Sequence, residues 1–199
     1  YKRRGFRVAP FKSQNMALNA HVTMEGLEIG RAQALQARAC GLEATVDMNP
    51  ILIKPQGDMQ AQLVVMGRPR GVRSAKQYHV DKTQLAGEVR ACLDRLRAEH
   101  DLVVIEGAGS PAEINLRARD LVNMFVAHAA EAPVLIVGDI DRGGVFAHLL
   151  GTLELLDEAD RARVAGVLIN KFRGDVSLLE PGLRMIEPRI GVPVLGVVP

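Results

Sequence analysis

Residues 101–116 read DLVVIEGAGSPAEINL, an aliphatic run that ends in a carboxylate and continues into a glycine-rich turn. The run is continuously apolar, which is typical of a parallel strand covered on both faces. Burying a carboxylate at the end of such a strand costs desolvation free energy unless a cation or several hydrogen-bond donors offset it. Glu106 therefore either emerges into water at a sheet edge or holds a cation, and this stretch leaves both interpretations open.

Four more short aliphatic runs have the same character: FRVAP at 6–10, APVLIVGDI at 132–140, VAGVLINKF at 164–172 and VPVLGVVP at 192–199. Helical patterns separate the runs, at 27–40, 74–99, 116–130, 143–156 and 177–188. Alternation of strand and helix favours right-handed crossovers, so the sequence predicts an α/β fold with a doubly wound, mostly parallel sheet. Residues 51–67 fit this alternation less well and are expected to add a hairpin or edge strands.

Length and composition favour one soluble domain spanning residues 1–199. The 199 residues are 48% hydrophobic and 24% charged, with a net charge of +2. The arginines are spread along the chain, which argues against nucleic-acid binding. We find no apolar run of the roughly 18–20 residues that a membrane span needs. The start YKRRGF lacks the apolar region of a signal peptide.

Cys40 and Cys92 lie far apart in helical patterns. We interpret both as free thiols in a reducing compartment, with a disulfide as the alternative. The expected location is the cytoplasm.

The four loops after the first four strands are rich in polar residues and glycine: PFKSQNMALN, EGAGSPAEINL, GDIDRGGVF and NKFRGD. In an open parallel sheet, ligands bind beyond the carboxyl ends of the strands. These loops are therefore the expected site.

The loop GDIDRGGVF carries two acids, Asp139 and Asp141. Asp141 is either a site acid or the N-cap of a helix that begins near Gly143. Asp139 has no evident capping role, and it lies one strand from Glu106 if their strands are neighbours. Two acids at one sheet edge favour a site for a metal and a phosphate.

Lys12 follows the first strand, where its ammonium group could reach a phosphate; a solvated surface lysine is the alternative. Ser13, Gln14, Asn15 and Asn19 form a neutral, hydrogen-bonding loop suited to a polar substrate. The five histidines show no metal-ligand spacing, and the sequence contains no G-x-S-x-G nucleophile elbow. Hydrolase chemistry through serine or cysteine is therefore not expected.

Asn170 and Lys171 end the fourth strand, in VLINKF. An asparagine could read a purine edge and a lysine stem could pack on the ring. Asparagine is also a common turn former, so the chemistry alone leaves the role open.

Six stretches occur in the order FKSQNMALN, GLEIGRAQALQA, VDMNPILIKP, VIEGAGSPAEINL, DIDRGGVFA and INKFRGD. Together they closely resemble the amino-terminal domain of the cobyric acid synthase family, glutamine-dependent amidotransferases of cobalamin synthesis. The resemblance spans essentially the whole chain. It implies a fold of the P-loop NTPase and dethiobiotin synthetase type.

The resemblance also implies an activity. ATP and Mg²⁺ would phosphorylate carboxylates of adenosylcobyrinic acid a,c-diamide, and ammonia from a glutaminase domain would convert the b, d, e and g acyl phosphates to amides. Glu106 would bind Mg²⁺, with Asp139 a second acid near the metal, and Lys12 would face the phosphates. The other implied contacts are Asn170 and Lys171 to adenine, and Ser13, Gln14, Asn15 and Arg142 to the corrinoid. A homo-oligomer is compatible with this resemblance.

Two family features are not found in the sequence: the motif G-x-x-x-x-G-K-[ST] and a glutaminase domain. The chain is therefore expected to be a fragment that is inactive alone. Two alternative functions remain. One is cobyrinic acid a,c-diamide synthase or another dethiobiotin-synthetase-like ligase, against which the SQNMALN loop argues. The other is a partitioning ATPase of the ParA/MinD type, which would need a basic DNA-facing patch or an amphipathic terminal helix.

Overall fold

The computed structural model describes residues 1–57, 60–74 and 82–199. The chain forms two compact units, one of residues 1–109 and 119–126 and the other of residues 110–118 and 127–199. None of the helices in the described ranges is long and apolar enough to cross a membrane. The sequence prediction of one domain over 1–199 stays a prediction.

The first unit is built on two parallel strands, β1 (Val8–Phe11) and β8 (Leu102–Ile105). Their registered pairs run from Val8↔Leu102 to Phe11↔Ile105. The long helix α2 (Lys82–Glu99) leads into β8, and its Val89 and Leu93 belong to the core with Phe11. Both strands therefore end level with each other, which brings the residues that follow them to one edge.

A four-stranded sheet completes most of this unit, in the order β2-β5-β6-β7. Its strands are β2 (Gln14–Met16), β5 (Ile51–Pro55), β6 (Gln60–Val65) and β7 (Arg68–Ser74). β2 pairs with β5 in parallel, and the other pairs are antiparallel. The expectation of a hairpin at 51–67 is confirmed.

The segment between β2 and β5 contains a two-stranded antiparallel ribbon, β3 (Ala20–Val22) and β4 (Glu28–Gly30), followed by helix α1 (Arg31–Ala39). The segment predicted as a polar loop after the first strand contains β2 (Gln14–Met16), so it is partly a strand. The predicted helix 27–40 begins later, at Arg31, because residues 28–30 pair with β3 instead. Each strand of this ribbon has only three residues, which is too short to give a recognisable hydrophobic pattern in the sequence.

The turn between β6 and β7 has two residues, Met66 and Gly67, both with positive φ (49° and 71°). Two such residues define the type I′ turn, whose twist matches the strands that it joins. A Cβ at Gly67 would lie 2.5 Å from Leu27 Cβ and 2.9 Å from the Glu28 backbone nitrogen. The position therefore needs glycine for its conformation and for the close approach of β4.

We expect Gly67→Ala to lower the free energy of unfolding by about 3 kcal/mol, the sum of left-handed strain and overpacking. Gly26→Ala is the matched control, because Gly26 has a similar φ of 76° and a Cβ there would meet nothing within 4 Å. The control should cost about 1 kcal/mol, the strain alone. Urea unfolding of both variants measures the difference, and equal costs would contradict the steric argument.

The second unit contains a parallel three-stranded sheet in the order β11-β10-β9. The strands are β9 (Val134–Asp139), β10 (Val164–Asn170) and β11 (Val194–Val197). Helices α4 (Val145–Leu155), α5 (Glu158–Arg161) and α6 (Glu180–Ile190) belong to this unit, and α3 (Met124–Ala130) leads into it from the first. The core cluster includes Leu149, Leu153, Val167, Ile169 and Ile190. The α/β fold with mostly parallel pairing of the principal strands is confirmed.

Two further predicted helices differ in extent from those observed. Of the predicted helix 74–99, Ser74 ends β7, residues 75–81 lie outside the described ranges, and Lys82–Glu99 is helical. The predicted helix 116–130 is an α-helix only over Met124–Ala130. Asp120 is the reason, because its carboxylate accepts hydrogen bonds from the backbone of Val122, Asn123 and Phe125 and so starts the helix late.

Both cysteines are free thiols, as predicted. Cys92 is buried in α2, and burial is the main cause that raises the pKa of its thiol to about 12. Such a thiol stays protonated and unreactive at neutral pH.

Candidate functional site

Lys12 and Glu106 form an ion pair at the edge where β1 and β8 end. Because Phe11 pairs with Ile105, the next residue of each strand emerges at the same level. Lys12 Nζ donates a hydrogen bond of 2.6 Å to Glu106 Oε1. Gln36 Nε2, from α1, donates a bond of 2.7 Å to Oε2. The acid predicted from the opening stretch is thus held by a cation and an amide.

The pKa of Glu106 reflects these contacts. Partial burial by itself would raise the pKa, but the hydrogen bonds from Lys12 and Gln36 and the charge of Lys12 lower it overall from its ordinary value of 4.5. The ion pair therefore stabilises the folded chain above the unfolded-state pKa, and this contribution is lost as the pH falls through the lower folded-state value. Glu106 is ionised at neutral pH, as a metal ligand must be.

We expect Lys12→Met to raise the pKa of Glu106, because the burial penalty remains while the main opposing partner is removed. Carbon NMR of the labelled glutamate carboxyls measures the titration, and the signal that disappears in Glu106→Gln identifies the residue. Lys54→Met is the matched control, since Lys54 pairs with Glu28. A Glu106 pKa that is unchanged in Lys12→Met would show that Lys12 does not govern this acid.

Asn49 is a buried hydrogen-bonding hub beside the ion pair, only 1% exposed. Its Oδ1 accepts a bond of 2.8 Å from the Gly30 backbone nitrogen. Its Nδ2 donates bonds of 3.0 Å to the carbonyl oxygens of Lys12 and Ile51. One side chain therefore fixes the end of β1, the start of α1 and the start of β5.

Asn15 and Gln33 form a second polar pair. Asn15 Nδ2 donates a 2.9 Å bond to Oε1 of Gln33, which is fully buried on α1. Among the described residues, Gln33 Nε2 is a buried donor with no hydrogen-bond partner, although it lies close enough to Glu106 to help lower its pKa. A buried donor without an acceptor is costly, so this atom suits an oxygen atom of a ligand.

The glycine-rich turn after Glu106 is fixed by Asn123. Asn123 Oδ1 accepts a 2.9 Å bond from the Ala108 backbone nitrogen, and its Nδ2 donates a 2.8 Å bond to the Ala108 oxygen. A side chain at Gly107 would collide with Asn123. The glycine is therefore required for close approach of this amide, which holds the turn in one conformation.

Ser13 lies in the same unit but is fully buried, and its hydroxyl donates a 2.6 Å bond to the Leu121 carbonyl. This bond ties the start of the SQN segment to the segment that follows the glycine-rich turn. A positioning role fits this contact better than direct contact with a substrate.

The second unit carries a similar pair. Lys171 Nζ donates a 2.7 Å bond to Asp139 Oδ2. This bond is the main cause that lowers the pKa of Asp139. Asn170 pairs with Asp139 in the β9–β10 register, so Lys171 follows directly at the strand end, with a positive φ of 61°. Exposed Arg142 adds positive charge near Asp139.

The capping roles of the two aspartates differ from those predicted. Asp139, not Asp141, is the capping residue: its Oδ1 accepts a 3.0 Å bond from the Asp141 backbone nitrogen and starts a 3₁₀ turn over Ile140–Arg142. The N-cap of α4 is Gly144, without a side-chain cap bond. Asp139 stands directly before the 3₁₀ turn and accepts from the residue two positions later, whereas the sequence suggested a cap only for a helix beginning near Gly143.

The described residues contain no cluster of three or more metal-ligating side chains. Glu106 and Asp139 lie in different units, and their approach at one metal site stays a prediction. A lone carboxylate still fits Mg²⁺, which usually takes one or two protein carboxylates together with phosphate oxygens and water.

Sequence reasoning missed Asn49, Gln33, Gln36 and Asn123. The stretches VDMNPILIKP and GRAQALQA were noted as wholes, but no role was given to their amides. Glutamines three residues apart on a helix share a face, and this was the available signal for Gln33 and Gln36. The partners of Asn49 and Asn123 are backbone groups far away in sequence, which no local pattern indicates.

A family model described as the CobQ/CobB/MinD/ParA nucleotide binding domain matches residues 1–199. The chain belongs to this family of α/β nucleotide-binding domains.

Particular relatives within that family are cobyric acid synthases. The chain is 62% identical over 199 residues to the cobyric acid synthase of Sorangium cellulosum (strain So ce56), covering 100% of the chain and 38% of the relative. It is 63% identical to that of Desulforudis audaxviator (strain MP104C) over 199 residues, covering 100% and 40%. The chain thus spans about two fifths of the length of these relatives. The predicted resemblance is confirmed.

Proposed function

We propose that this chain is the ATP-dependent synthetase part of a cobyric acid synthase. It would activate carboxylates of adenosylcobyrinic acid a,c-diamide as acyl phosphates, which ammonia then converts to the b, d, e and g amides. The observation that carries the proposal is the Lys12–Glu106–Gln36 constellation at the sheet edge, in a chain 62% and 63% identical to two cobyric acid synthases. Ammonia would come from a glutaminase domain elsewhere in the full-length protein.

The reaction has two balanced steps. A substrate carboxylate oxygen attacks the γ-phosphorus of ATP, and the bond from that phosphorus to the ADP oxygen breaks. Ammonia then attacks the acyl carbon, phosphate leaves with the bonding electrons, and the nitrogen loses a proton to give the amide. Both steps build negative charge on phosphoryl oxygens, so the protein mainly supplies positioning and positive charge.

Glu106 is the proposed protein ligand of Mg²⁺, whose charge offsets that of the phosphates. Lys12 is only 12% exposed and its ammonium lies 2.6 Å from Glu106, so it is already held at this edge. With Glu106 engaged by the metal, Lys12 would donate to a phosphoryl oxygen instead. Gln36 orients the carboxylate, and the unpartnered Gln33 Nε2 can donate to a ligand oxygen.

In the second unit, Asn170 and Lys171 are proposed to contact adenine, and Asp139 is the proposed second acid near the metal. Arg142, Gln14 and Asn15 are proposed corrinoid contacts. Ser13 is proposed to position the loop because its hydroxyl is already bonded to Leu121. A cytoplasmic location fits this chemistry, which consumes ATP.

The test supplies the full-length protein with ATP, Mg²⁺, ammonium salt and either cobyrinic acid or its a,c-diamide. Mass spectrometry follows amide formation on each substrate. Conversion of the a,c-diamide to the product with four further amides supports the proposal. Amidation of cobyrinic acid at a and c alone would instead identify a diamide synthase. ATP hydrolysis that depends on DNA or a membrane surface, without amide formation, would identify a partitioning ATPase.

A further inference from the structure

A groove of about 610 Å³ lies in the first unit, beside α1 and the β2–β3 segment. This volume is within the range of small-molecule sites. The lining residues are Asn15, Ala17, Asn19, His21, Arg31, Ala32, Ala34, Leu35 and Arg38. Asn15 and Asn19 belong to the loop that the sequence indicated for a polar substrate, and the other lining residues were not predicted.

The groove is positively charged. Arg31 and Arg38 are two turns apart on α1, so both lie along the same side of the helix. Within the described ranges neither arginine forms an ion pair with an acid, and no acidic residue lines the groove. The helix begins here at Arg31, whose backbone nitrogen donates a 3.4 Å bond to the carbonyl oxygen of Asn19, a residue that also lines the groove.

The groove also has apolar lining. Leu35 is a lining residue whose side chain is 65% exposed, and three alanines line the groove with it. Two guanidinium groups without ion-pair partners among the described residues, two asparagine amides and these apolar side chains together suit a ligand that carries carboxylates on an apolar frame.

Helix α1 connects this groove to the ion pair. Its exposed side carries Arg31, Leu35 and Arg38, while Gln36 donates to Glu106. Asn15 lines the groove and also donates to Gln33, whose free Nε2 lies near Glu106. A ligand in the groove would therefore lie next to the residues that hold the strand-end acid.

We propose that this groove holds the non-reacting carboxylate and amide arms of the substrate, with Arg31 and Arg38 as its specificity-determining cations. The inference rests on the proposed function, in which the substrate is an apolar macrocycle with several carboxylate arms. The arginines bind arms that are not reacting, so the substrate is held while another carboxylate meets ATP.

The test compares Arg31→Gln, Arg38→Gln and the double variant in the full-length protein. Each substitution removes hydrogen bonds between charged groups, and we expect this loss to raise the KM for the a,c-diamide roughly tenfold per arginine. The KM for ATP should stay the same, and kcat should fall less than about twofold, because uniform binding energy is lost. Arg97→Gln on α2 is the matched control, since Arg97 does not line the groove.

An unchanged KM for the a,c-diamide in the double variant would overturn the inference, as would a fall in kcat alone. If the wild-type protein amidates no corrinoid, the proposed function fails on its own. The groove is then tested by equilibrium binding of the a,c-diamide without ATP. The visible absorbance of the corrinoid measures the bound fraction. Binding that weakens at least tenfold in the double variant, with Arg97→Gln unaffected, supports the groove; equal binding by wild type and double variant rejects it.

Discussion

Replacement of Glu106 by glutamine is expected to lower the rate of ATP-dependent amide formation by at least about a hundredfold in the full-length protein, the usual effect of removing one electrostatic contact to developing charge. Glutamine keeps the size of the side chain but removes the negative charge that would hold Mg²⁺. Its amide has one acceptor oxygen and one donor nitrogen, so it can accept from only one of Lys12 and Gln36, which both donate to Glu106 at 2.6 and 2.7 Å. The site would therefore lose its charged metal ligand, the ion pair with Lys12 and one of these two hydrogen bonds.

The measurement is single-turnover formation of acyl phosphate, with the Mg²⁺ concentration varied. A higher Mg²⁺ requirement together with a lower rate would place Glu106 at the metal. Glu99→Gln is the matched control, because Glu99 is exposed at the end of α2 and contributes only its backbone oxygen to a contact with Arg7. Near-normal rates in Glu106→Gln would remove this residue from the metal site.

Asn49→Ala is expected to lower the free energy of unfolding by about 3–5 kcal/mol, because each buried polar group left without a partner costs about 1–3 kcal/mol. Alanine leaves the Gly30 nitrogen and the Lys12 and Ile51 oxygens without their side-chain partner. Lys12 would also lose the backbone anchor that places it beside Glu106. Activity should therefore fall even where the variant stays folded.

Urea unfolding of Asn49→Ala, Asn49→Asp and Asn115→Ala measures this effect. Aspartate keeps the acceptor for Gly30 but loses both donations, so its cost should come from the Lys12 and Ile51 contacts. Asn115 is exposed, and its replacement should change stability by less than about 0.5 kcal/mol. A loss below about 1 kcal/mol in Asn49→Ala would show that water replaces these bonds.

The predictions that succeeded depended on patterns along the chain. Continuous aliphatic runs located β1, β8, β9, β10 and β11. The expected cover on both faces is found for β1, which is buried throughout, but not for β9, where Leu135 and Val137 are 47% and 58% exposed. Glu106 was found because a carboxylate directly after such a run is energetically unusual. The short ribbon of β3 and β4 was missed, because three-residue strands with mixed burial carry no clear period.

The partners of the Asp139 carboxylate could not be predicted from the sequence. The sequence identified it as a strand-end acid, and the structure adds that it caps the following turn and pairs with Lys171. Both partners satisfy the carboxylate without a metal. Its role near Mg²⁺ stays a prediction.

The sequence by itself determined the fold class, the family and the strand-end residues that carry charge, because these depend on local hydrophobic pattern and on contiguous motifs. The tertiary structure decided which of these residues meet: Lys12 and Glu106 are 94 residues apart in sequence and 2.6 Å apart in space. It also decided the role of the amides, since Asn49, Asn123 and Gln33 act through partners that register and packing bring to them. Hydrogen bonds act over about 3 Å, so the folded chain selects the pairs from many residues able to form them.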